Sequence, residues 1–522
     1  MLVACSLFVF PLADLPASWS SWDVLHSGRR FADQGFMASR LQPRWVPMND
    51  PAPYVTYTHY PPLPYWISGV VQSAVFEPQR RIHAMMHLTR LVAVTGLLLG
   101  YLLLRQFSVS PGAAAVSVAM LTWSQRWWGW VSGELSWCSW WPLFLFGIAA
   151  AFIWGFRRPR SWRVALAAGT ACCAAAALSA FDAWLWAPTF LAALLCLAPR
   201  HGASIRRRLL VALLCVCAAT GFALATRIAI NWWYYGSLDT TVRDLREAYQ
   251  VRSAGERSDA MTHENAVNYW DVGTVSKLRR WELAAHVLHE LPTDLVLIYL
   301  PAPPFGSRIG PLIGLAALAG WAMVARRRRD QHPPASAWPT APRALVAFTA
   351  APIAFVLACP AITNEQPWGL LGFAPAVLLV AGMVWQGALT PLARAIGTSG
   401  ASALAAAAAL GMMIVRLPTA YGHEWPRPFD ECQAATRAIA DLDGPVFVNF
   451  KDANPFMYLL PLDSRVALKP AWAFKRFLRD TRPVRLLFAE SVPQGERLPG
   501  LPPAWSFVVL EDGSPLGTNR AS

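Results

Sequence analysis

The sequence that decides the fold is a stretch reading Trp-Ser-Ser-Trp-Asp at positions 19–23 and Tyr-Thr-His-Tyr-Pro-Pro-Leu-Pro-Tyr-Trp at positions 57–66. It follows a short apolar segment, so the carboxylate of Asp23 stands where an apolar helix would leave a bilayer. Its second half combines prolines, which restrict the backbone, with aromatic residues, which favour the membrane–water interface. The stretch therefore predicts a rigid site at a membrane face, and the rest of the chain is expected to be the scaffold that positions it.

Composition places this site in a polytopic membrane protein. The chain has 522 residues, of which 55% are hydrophobic and 15% charged, and this balance is typical of many apolar helices rather than several soluble domains. The net charge of +14 does not indicate nucleic-acid binding, because the arginines fall largely in short runs between apolar stretches. The cysteines lie mostly within or beside apolar runs and have no metal-knuckle spacing, so neither a disulfide framework nor a metal knuckle is predicted.

Apolar runs of about 20 residues can span a hydrocarbon core, and the sequence predicts about eleven such helices. They lie at residues 1–16, 88–105, 111–130, 135–156, 164–181, 183–199, 209–231, 309–325, 343–361, 368–389 and 400–416. The first run is short and lacks the basic region and the cleavage site of a signal peptide. A start codon placed too far downstream would explain both features.

Basic runs orient the bundle. Arginines cluster at residues 157–163, 200–208 and 326–329, and the helix count puts all three clusters on one side. Basic loops stay in the cytoplasm. The sequence therefore predicts a multi-pass protein of the inner (plasma) membrane with a cytoplasmic N-terminus.

The predicted fold is mainly α: a transmembrane helix bundle over residues 1–420 with a small α/β domain over residues 421–522. The first loop, residues 17–87, a second large segment, residues 232–308, and the C-terminal domain are expected on the extracytoplasmic side. The C-terminal domain is predicted from a helix at 430–442, strands at 445–450, 484–489 and 506–511, and a helix at 471–479. It has no glycine-rich phosphate loop, so we assign it no nucleotide.

Two further helices are expected on the outer side. Residues 275–298 have apolar positions at helical spacing with basic residues among them, a pattern typical of a helix in the headgroup plane, and Pro292 is expected to end or kink it. Residues 23–35 predict a shorter helix with Gly35 as its stop.

Asp23 is the first candidate for chemistry. Partial desolvation at a membrane boundary can raise the pKa of a carboxylate and make it a usable base. The structural alternative is that Asp23 caps the helix that follows it.

A family resemblance bears on this choice. The order Trp22-Asp23-x-x-His26, Gly35-Phe36, the Tyr-Thr-His-Tyr-Pro-Pro-Leu element at 57–63, and Arg90-Leu91 in the second helix resembles the GT-C superfamily of membrane glycosyltransferases. Within that superfamily, the sequence most resembles the bacterial relatives of protein O-mannosyltransferases and of lipid A aminoarabinose transferases. The resemblance implies a catalytic acid in the first extracytoplasmic loop and a sugar donor linked to polyprenyl phosphate.

Carried over by residue, Asp23 matches the catalytic first-loop carboxylate. Glu134 matches a second acidic position, where the family usually has Asp, and marking a helix start is its structural alternative. Asp182 resembles an acidic position at the outer end of a later helix pair. Glu365 stands in a turn where relatives often have a histidine and an acid, and the missing histidine weakens any metal inference.

The implied chemistry is a single displacement that inverts the anomeric centre, with Asp23 as the base. Tyr57 and His59 are candidate substrate-binding residues, although a histidine packed among tyrosines and prolines could equally be structural. Guanidinium groups bind phosphate in two-pronged fashion, and the outer-side candidates are Arg29, Arg30, Arg90 and Arg126. His286, His289 and Glu290 have helical spacing that could bind zinc, but no further ligand is identifiable.

The sequence thus predicts a glycosyltransferase that moves a sugar from a polyprenyl-phosphate donor to an unidentified extracytoplasmic acceptor, a lipid, a glycan or a protein. Membrane lipids are its surroundings. No cofactor is certain, and a divalent metal is left open. The alternatives are a transporter or flippase of lipid-linked intermediates and a structural scaffold. A transporter would need polar residues near mid-helix and related halves, whereas the acidic residues here cluster at outer ends.

Overall fold

The structure of the chain is a computed structural model. It describes residues 19–45, 55–58, 60–124, 127, 130–131, 135–199, 202–254, 261–262, 264–265, 279–299, 338–365, 367–420, 429–448, 458–460, 464–470, 484–488, 498–503 and 505–510. The apolar runs predicted at 1–16 and 309–325 and the helix predicted at 471–479 lie outside these residues.

The first loop is built from two helices and a short β-ladder. Helix α1 spans Trp19–Gln34, and strands β1 (Arg44–Trp45) and β2 (Val55–Thr56) pair antiparallel before helix α2 (Leu63–Ser73). Helix α1 ends where predicted, because Gly35 has a φ of +90°, a conformation that glycine adopts without strain at a helix C-terminus.

Apolar helices follow the first loop in the order that the hydropathy pattern predicts. They are α3 (Pro78–Gln106), α4 (Pro111–Trp123), α5 (Trp137–Arg157), α6 (Trp162–Ala177), α7 (Asp182–Cys196) and α8 (Ala203–Tyr235). Prolines at the first turns of α3 and α4 suit that position, where the missing N–H has no intrahelical partner.

The second half contains α9 (Leu238–Ala254), α10 (Arg280–Tyr299), α11 (Ala341–Ala358), α12 (Pro360–Glu365) and α13 (Ala374–Ala420). The α10 helix confirms a helix in the second outer segment, but Pro292 lies inside it and does not end it. Non-helical backbone at Gly397 interrupts α13, close to the predicted break between two spans.

Membrane-spanning character follows from length and composition. In the described part of the chain, five helices are long and apolar enough to cross a membrane, and α4 and α7 are shorter apolar helices. The prediction of a mainly helical membrane protein is thereby confirmed. The count of about eleven spans stays a prediction.

The C-terminal region contains helix α14 (Phe429–Ala438) and a four-stranded sheet in the order β4-β3-β5-β6. Strands β3 (Gly444–Val448), β5 (Val484–Phe488) and β6 (Ser506–Leu510) lie where strands were predicted. Strand β4 (Val466–Pro470) was not predicted. It pairs parallel with β3, which is also parallel to β5, while β5 and β6 are antiparallel.

The hydrophobic core of this sheet is continuous with the first loop. Trp22 and Leu25 of α1 belong to the same cluster of buried residues as Val446, Tyr458 and Phe507 of the C-terminal region. A separate cluster fills the helix bundle. The sheet therefore packs on α1, and the boundary predicted at residue 421 divides the chain but not its core.

Helices α1 and α2 approach closely at two glycines. A Cβ atom added to Gly28 would lie 2.1 Å from Ser68 Oγ, and one added to Gly69 would lie 2.7 Å from Phe31 Cβ. Atoms at these distances overlap, so the crossing requires the absence of side chains.

We therefore expect Gly28→Ala to lower the free energy of unfolding by about 2 kcal/mol, because the added methyl group overpacks the crossing. Gly221→Ala in α8 is the matched control, since a Cβ there meets no atom within 4 Å. Thermal unfolding in detergent measures both variants. Equal unfolding temperatures for Gly28→Ala and the unmodified protein would contradict the close crossing.

Candidate active site

Asp23 lies in the second turn of α1, which begins at Trp19. The alternative that Asp23 caps the following helix is wrong, because the helix starts four residues earlier. Its side chain is buried, with 6% of the residue exposed. The Asp23 carboxyl group is therefore largely shielded from water.

The turn that carries Asp23 is held against the start of α5. Ser21 Oγ accepts a hydrogen bond from the backbone N–H of Leu135 at 3.0 Å. Glu134, the predicted second acid, precedes Leu135 but lies outside the described residues. The chain next to that position is therefore brought to α1, while a role for Glu134 stays a prediction.

The C-terminal region covers the same turn. The ring of Tyr458 lies 5.8 Å from the ring of Trp22 and 5.9 Å from that of His26. The guanidinium of Arg29 donates to the backbone carbonyl of Leu460 at 2.8 Å and also to that of Tyr458. The Tyr458 hydroxyl donates to Gln72 Oε1 of α2 at 2.8 Å.

Three tyrosines connect Asp23 to the interior of the site. Tyr57 and Tyr60 stack with ring centroids 4.4 Å apart, and Tyr65 meets Tyr57 edge-on at 6.1 Å. Burial raises the pKa of Tyr65 well above its ordinary value, and the negative charge of Asp23 raises it further. Asp23 and Tyr65 are therefore close enough to interact electrostatically.

A cleft with about 440 Å³ of open space lies beside these tyrosines. Tyr60, Phe181, Asp182 and Arg252 are among its lining residues. Asp182 is the first residue of α7 and is buried. The cleft therefore combines a carboxylate, a guanidinium and aromatic residues. Its lining residue Tyr60 stacks on Tyr57, a member of the tyrosine cluster next to Asp23.

Arg252, near the end of α9, is the cation of this cleft. Its guanidinium carbon lies 4.3 Å from the ring centroid of Phe181 and 5.4 Å from that of Tyr60. Contacts of a cation with aromatic faces are favourable when water is excluded. These contacts hold the guanidinium between the first loop and the turn before α7.

A buried carboxylate, Asp244 of α9, was not predicted. Its Oδ1 accepts hydrogen bonds from Tyr235 OH at 3.0 Å and Thr58 Oγ1 at 3.1 Å. Further donors are Thr262 Oγ1, at 3.2 Å, and Asn265 Nδ2, at 3.0 Å. We call Asp244 and these donors the Asp244 hub.

Two side chains of α8 extend the hub toward the first loop. Asn231 Nδ2 donates to Asp244 Oδ2 at 3.2 Å and to the Thr58 carbonyl at 2.8 Å. Arg227 donates to the Tyr57 carbonyl at 2.8 Å and to Gln42 Oε1 at 3.1 Å. The loop that carries the tyrosines is thus fixed to the spanning helix.

A weak sequence signal for the hub exists. Thr241, Asp244, Ala248 and Val251 recur at helical spacing, and all are buried. An acidic residue within a stripe that otherwise reads as a core face indicates a buried polar contact. The partners of Asp244 are distant in sequence and could not be read from this pattern.

The structure brings only part of the predicted site together. Tyr57 belongs to the tyrosine cluster, and Asp182 lines the cleft beside it. Arg90 is buried in α3. The positions that the structure does not describe are His59, Arg126 and Glu134 and the side chain of Glu365. Their roles stay predictions.

The proposed metal ligands do not form a cluster in the described residues. No group of three or more His, Cys, Asp or Glu side chains there is placed to hold an ion. His289 is exposed and lies 3.9 Å from the neighbouring Glu290. These residues do not fit a metal centre, and no step below is assigned to one.

No family model matches the chain, and no curated protein matches its sequence. Among solved structures, the apo oligosaccharyltransferase of Archaeoglobus fulgidus matches with a TM-score of 0.54 and 12% identity, over 93% of this chain and 68% of the archaeal chain. ArnT from Cupriavidus metallidurans, also in the apo state, gives a TM-score of 0.39 and 12% identity, over 94% of this chain and 92% of ArnT.

The chain therefore shares its fold with a solved oligosaccharyltransferase. The particular structure that carries this conclusion is the archaeal oligosaccharyltransferase, which this chain matches along nearly its whole length. At 12% identity the likeness establishes the fold. The mainly helical fold expected from the resemblance is confirmed, while the count of about eleven spans and the separate C-terminal domain stay predictions.

Asp244 makes stability depend on pH. Burial raises the pKa of Asp244 from 3.8 to about 6, so the folded protein binds more protons than the unfolded chain between these values. The stability contributed by this carboxyl is present at low pH and is lost as pH rises through about 6. The full difference would be about 3 kcal/mol.

We expect the unfolding temperature to fall between pH 5 and pH 7.5, and Asp244→Asn to remove much of that fall. The variant will be less stable at both pH values, because its amide faces the donating Nδ2 of Asn231. The exposed residue Asp443 provides the control, Asp443→Asn. The same pH dependence with and without the Asp244 carboxyl would contradict the prediction.

Proposed function

We propose that the chain is an integral-membrane glycosyltransferase that moves a sugar from a polyprenyl-phosphate donor to an extracytoplasmic acceptor. The observation that carries the proposal is the buried carboxylate of Asp23 on the first-loop helix of a chain with the GT-C fold. The nearby cleft supports it, because it offers a cation and aromatic faces in a place shielded from water. The inner membrane is the proposed location.

The proposed reaction is a single displacement. The acceptor hydroxyl gives its proton to the carboxylate of Asp23 as its oxygen bonds to the anomeric carbon. The bond from that carbon to the phosphate oxygen breaks, and its electron pair leaves with the polyprenyl phosphate. Phosphate is a good leaving group, so positioning, proton removal and charge stabilisation are what the protein must supply.

Arg252 is the proposed phosphate-binding residue. Its guanidinium lines the cleft and can form two parallel hydrogen bonds with phosphate oxygens. Asp182 lines the same cleft, where it can accept hydrogen bonds from sugar hydroxyls. Tyr60 and Phe181 line the same cleft and hold the Arg252 guanidinium against their rings.

We expect Asp23→Asn to reduce transfer by at least ~10²-fold, because the amide cannot accept the proton. The assay measures sugar released from a polyprenyl-phosphate donor by purified protein in vesicles. Glu77→Gln, which changes an exposed acid, is the control. Asp182→Asn tests the other candidate for the base. If Asp182→Asn abolishes transfer while Asp23→Asn retains it, the base is Asp182.

A second prediction concerns the leaving group. Arg252→Gln should raise KM for the donor and lower kcat, since the guanidinium would contact the phosphate in both the bound donor and the transition state. Arg252→Lys should recover part of the activity, because it keeps the charge without the two-pronged geometry. Arg80→Gln changes an exposed arginine and should have no effect. Unchanged kinetics in Arg252→Gln would remove this assignment.

A further inference from the structure

Helix α9 exposes several apolar residues, while its buried face carries polar residues beside Ala248 and Val251. Its buried residues include Thr241, Asp244 and Glu247. On its outside, Leu238 is 51% exposed and Val242 is 52% exposed. A helix facing water would bury the apolar residues and expose the polar ones.

The exposed apolar residues form one stripe. Leu238, Val242, Leu245 and Tyr249 recur at helical spacing, which places them on one face of α9. Leu245 is half-buried, and Tyr249 is 47% exposed. We call these residues the α9 stripe.

Basic residues lie beside the α9 stripe. Arg243 and Arg246 are exposed, as is Asp239. Arg243 Nε also lies 3.8 Å from Glu247 Oε1, so Arg246 is the cation without such an ion pair in the described residues. An apolar stripe flanked by arginines is typical of a helix that lies in a membrane interface, where the apolar face enters the acyl region and the cations meet phosphates. The charge pattern therefore favours anionic headgroups.

The position of α9 agrees with such a surface. It begins shortly after the long apolar helix α8 ends at Tyr235. Near that end, Trp232 is 55% and Trp233 is 43% exposed. Tryptophan favours the depth at which a span leaves the hydrocarbon core, so the α9 stripe starts at the edge of the bilayer.

The surface continues onto α10. Arg280 Nη2 lies 3.4 Å from the hydroxyl of Tyr249, so the two helices meet at the end of the stripe. Trp281 is 67% exposed on the same helix. Only 28% of the apolar window of α8 is buried in the structure, as expected for a spanning helix with a lipid-facing side.

We propose that the α9 stripe is a lipid-contact surface: α9 lies in the outer interfacial region of the membrane, with its apolar stripe among phospholipid acyl chains and Arg243 and Arg246 at the phosphates. This inference does not depend on the proposed enzymatic activity. The two faces of α9 then have different surroundings: the α9 stripe contacts lipid, and the opposite face contacts protein through the Asp244 hub.

Site-directed spin labelling in phospholipid vesicles tests the proposal. Single labels at Val242→Cys and at Gln250→Cys, both exposed positions, are introduced after the native cysteines are replaced. We expect the Val242 label to be several-fold more accessible to oxygen, which concentrates in lipid, than to a water-soluble nickel chelate. The Gln250 label lies off the stripe and is expected to show the reverse.

Other occupants of the surface give different results. Equal accessibility of the nickel chelate to both labels would place the stripe in water and overturn the proposal. A Val242 label shielded from both reagents would mean that protein covers it, and spectral broadening between labels would identify a second copy of the chain. Either result would also overturn the proposal.

Discussion

The arrangement of the first loop on helices α8 and α9 depends on one constraint: a carboxylate inside an apolar protein must have its oxygens satisfied by donors. Asp244 meets it with Thr58 from the first loop and Asn231 and Tyr235 from α8. Loss of one donor would leave a buried acceptor unsatisfied at a cost of about 1–3 kcal/mol. The hub therefore selects one position of the first loop relative to the spanning helices.

The same constraint determines the geometry of the cleft. Asp244 and Arg252 lie on one face of α9, about two turns apart, and Thr58 and Tyr60 are close neighbours in the first loop. When Asp244 binds Thr58, the rigid helix brings Arg252 toward Tyr60, whose ring centroid lies 5.4 Å from the guanidinium. A structural hydrogen bond thus positions the cation proposed to bind phosphate.

The sequence predicted what local patterns encode. Long apolar runs identified helices such as α5 and α8, because a bilayer requires such runs, and Gly35 marked the end of α1. Helix α9 was missed, since both its buried and its exposed faces mix polar and apolar residues, so composition alone indicated an undefined polar segment. Strand β4 was missed because its five residues include Lys469 and Pro470, which weaken a strand pattern.

The sequence predicted only those residues of the candidate site that have a recognisable local pattern. Asp23 and Asp182 stand next to apolar runs in the sequence, and both are buried. The hub and the cleft cation depend on contacts between distant segments, such as Asn231 with Thr58. Periodicity reports which face of an element is buried but not which element covers it, so these contacts required the structure.

The surroundings of Asp23 also depend on the far end of the chain. Trp22 and His26 flank Asp23 on successive turns of α1, and the Tyr458 ring contacts both. Successive side chains of a helix point about 100° apart. Fixing Trp22 and His26 therefore fixes the rotation of α1, and with it the direction in which the Asp23 carboxylate points. The Tyr458 hydroxyl is itself fixed by Gln72, which donates to the Leu25 carbonyl of α1. The C-terminal region therefore belongs to the structure that orients Asp23 through Tyr458.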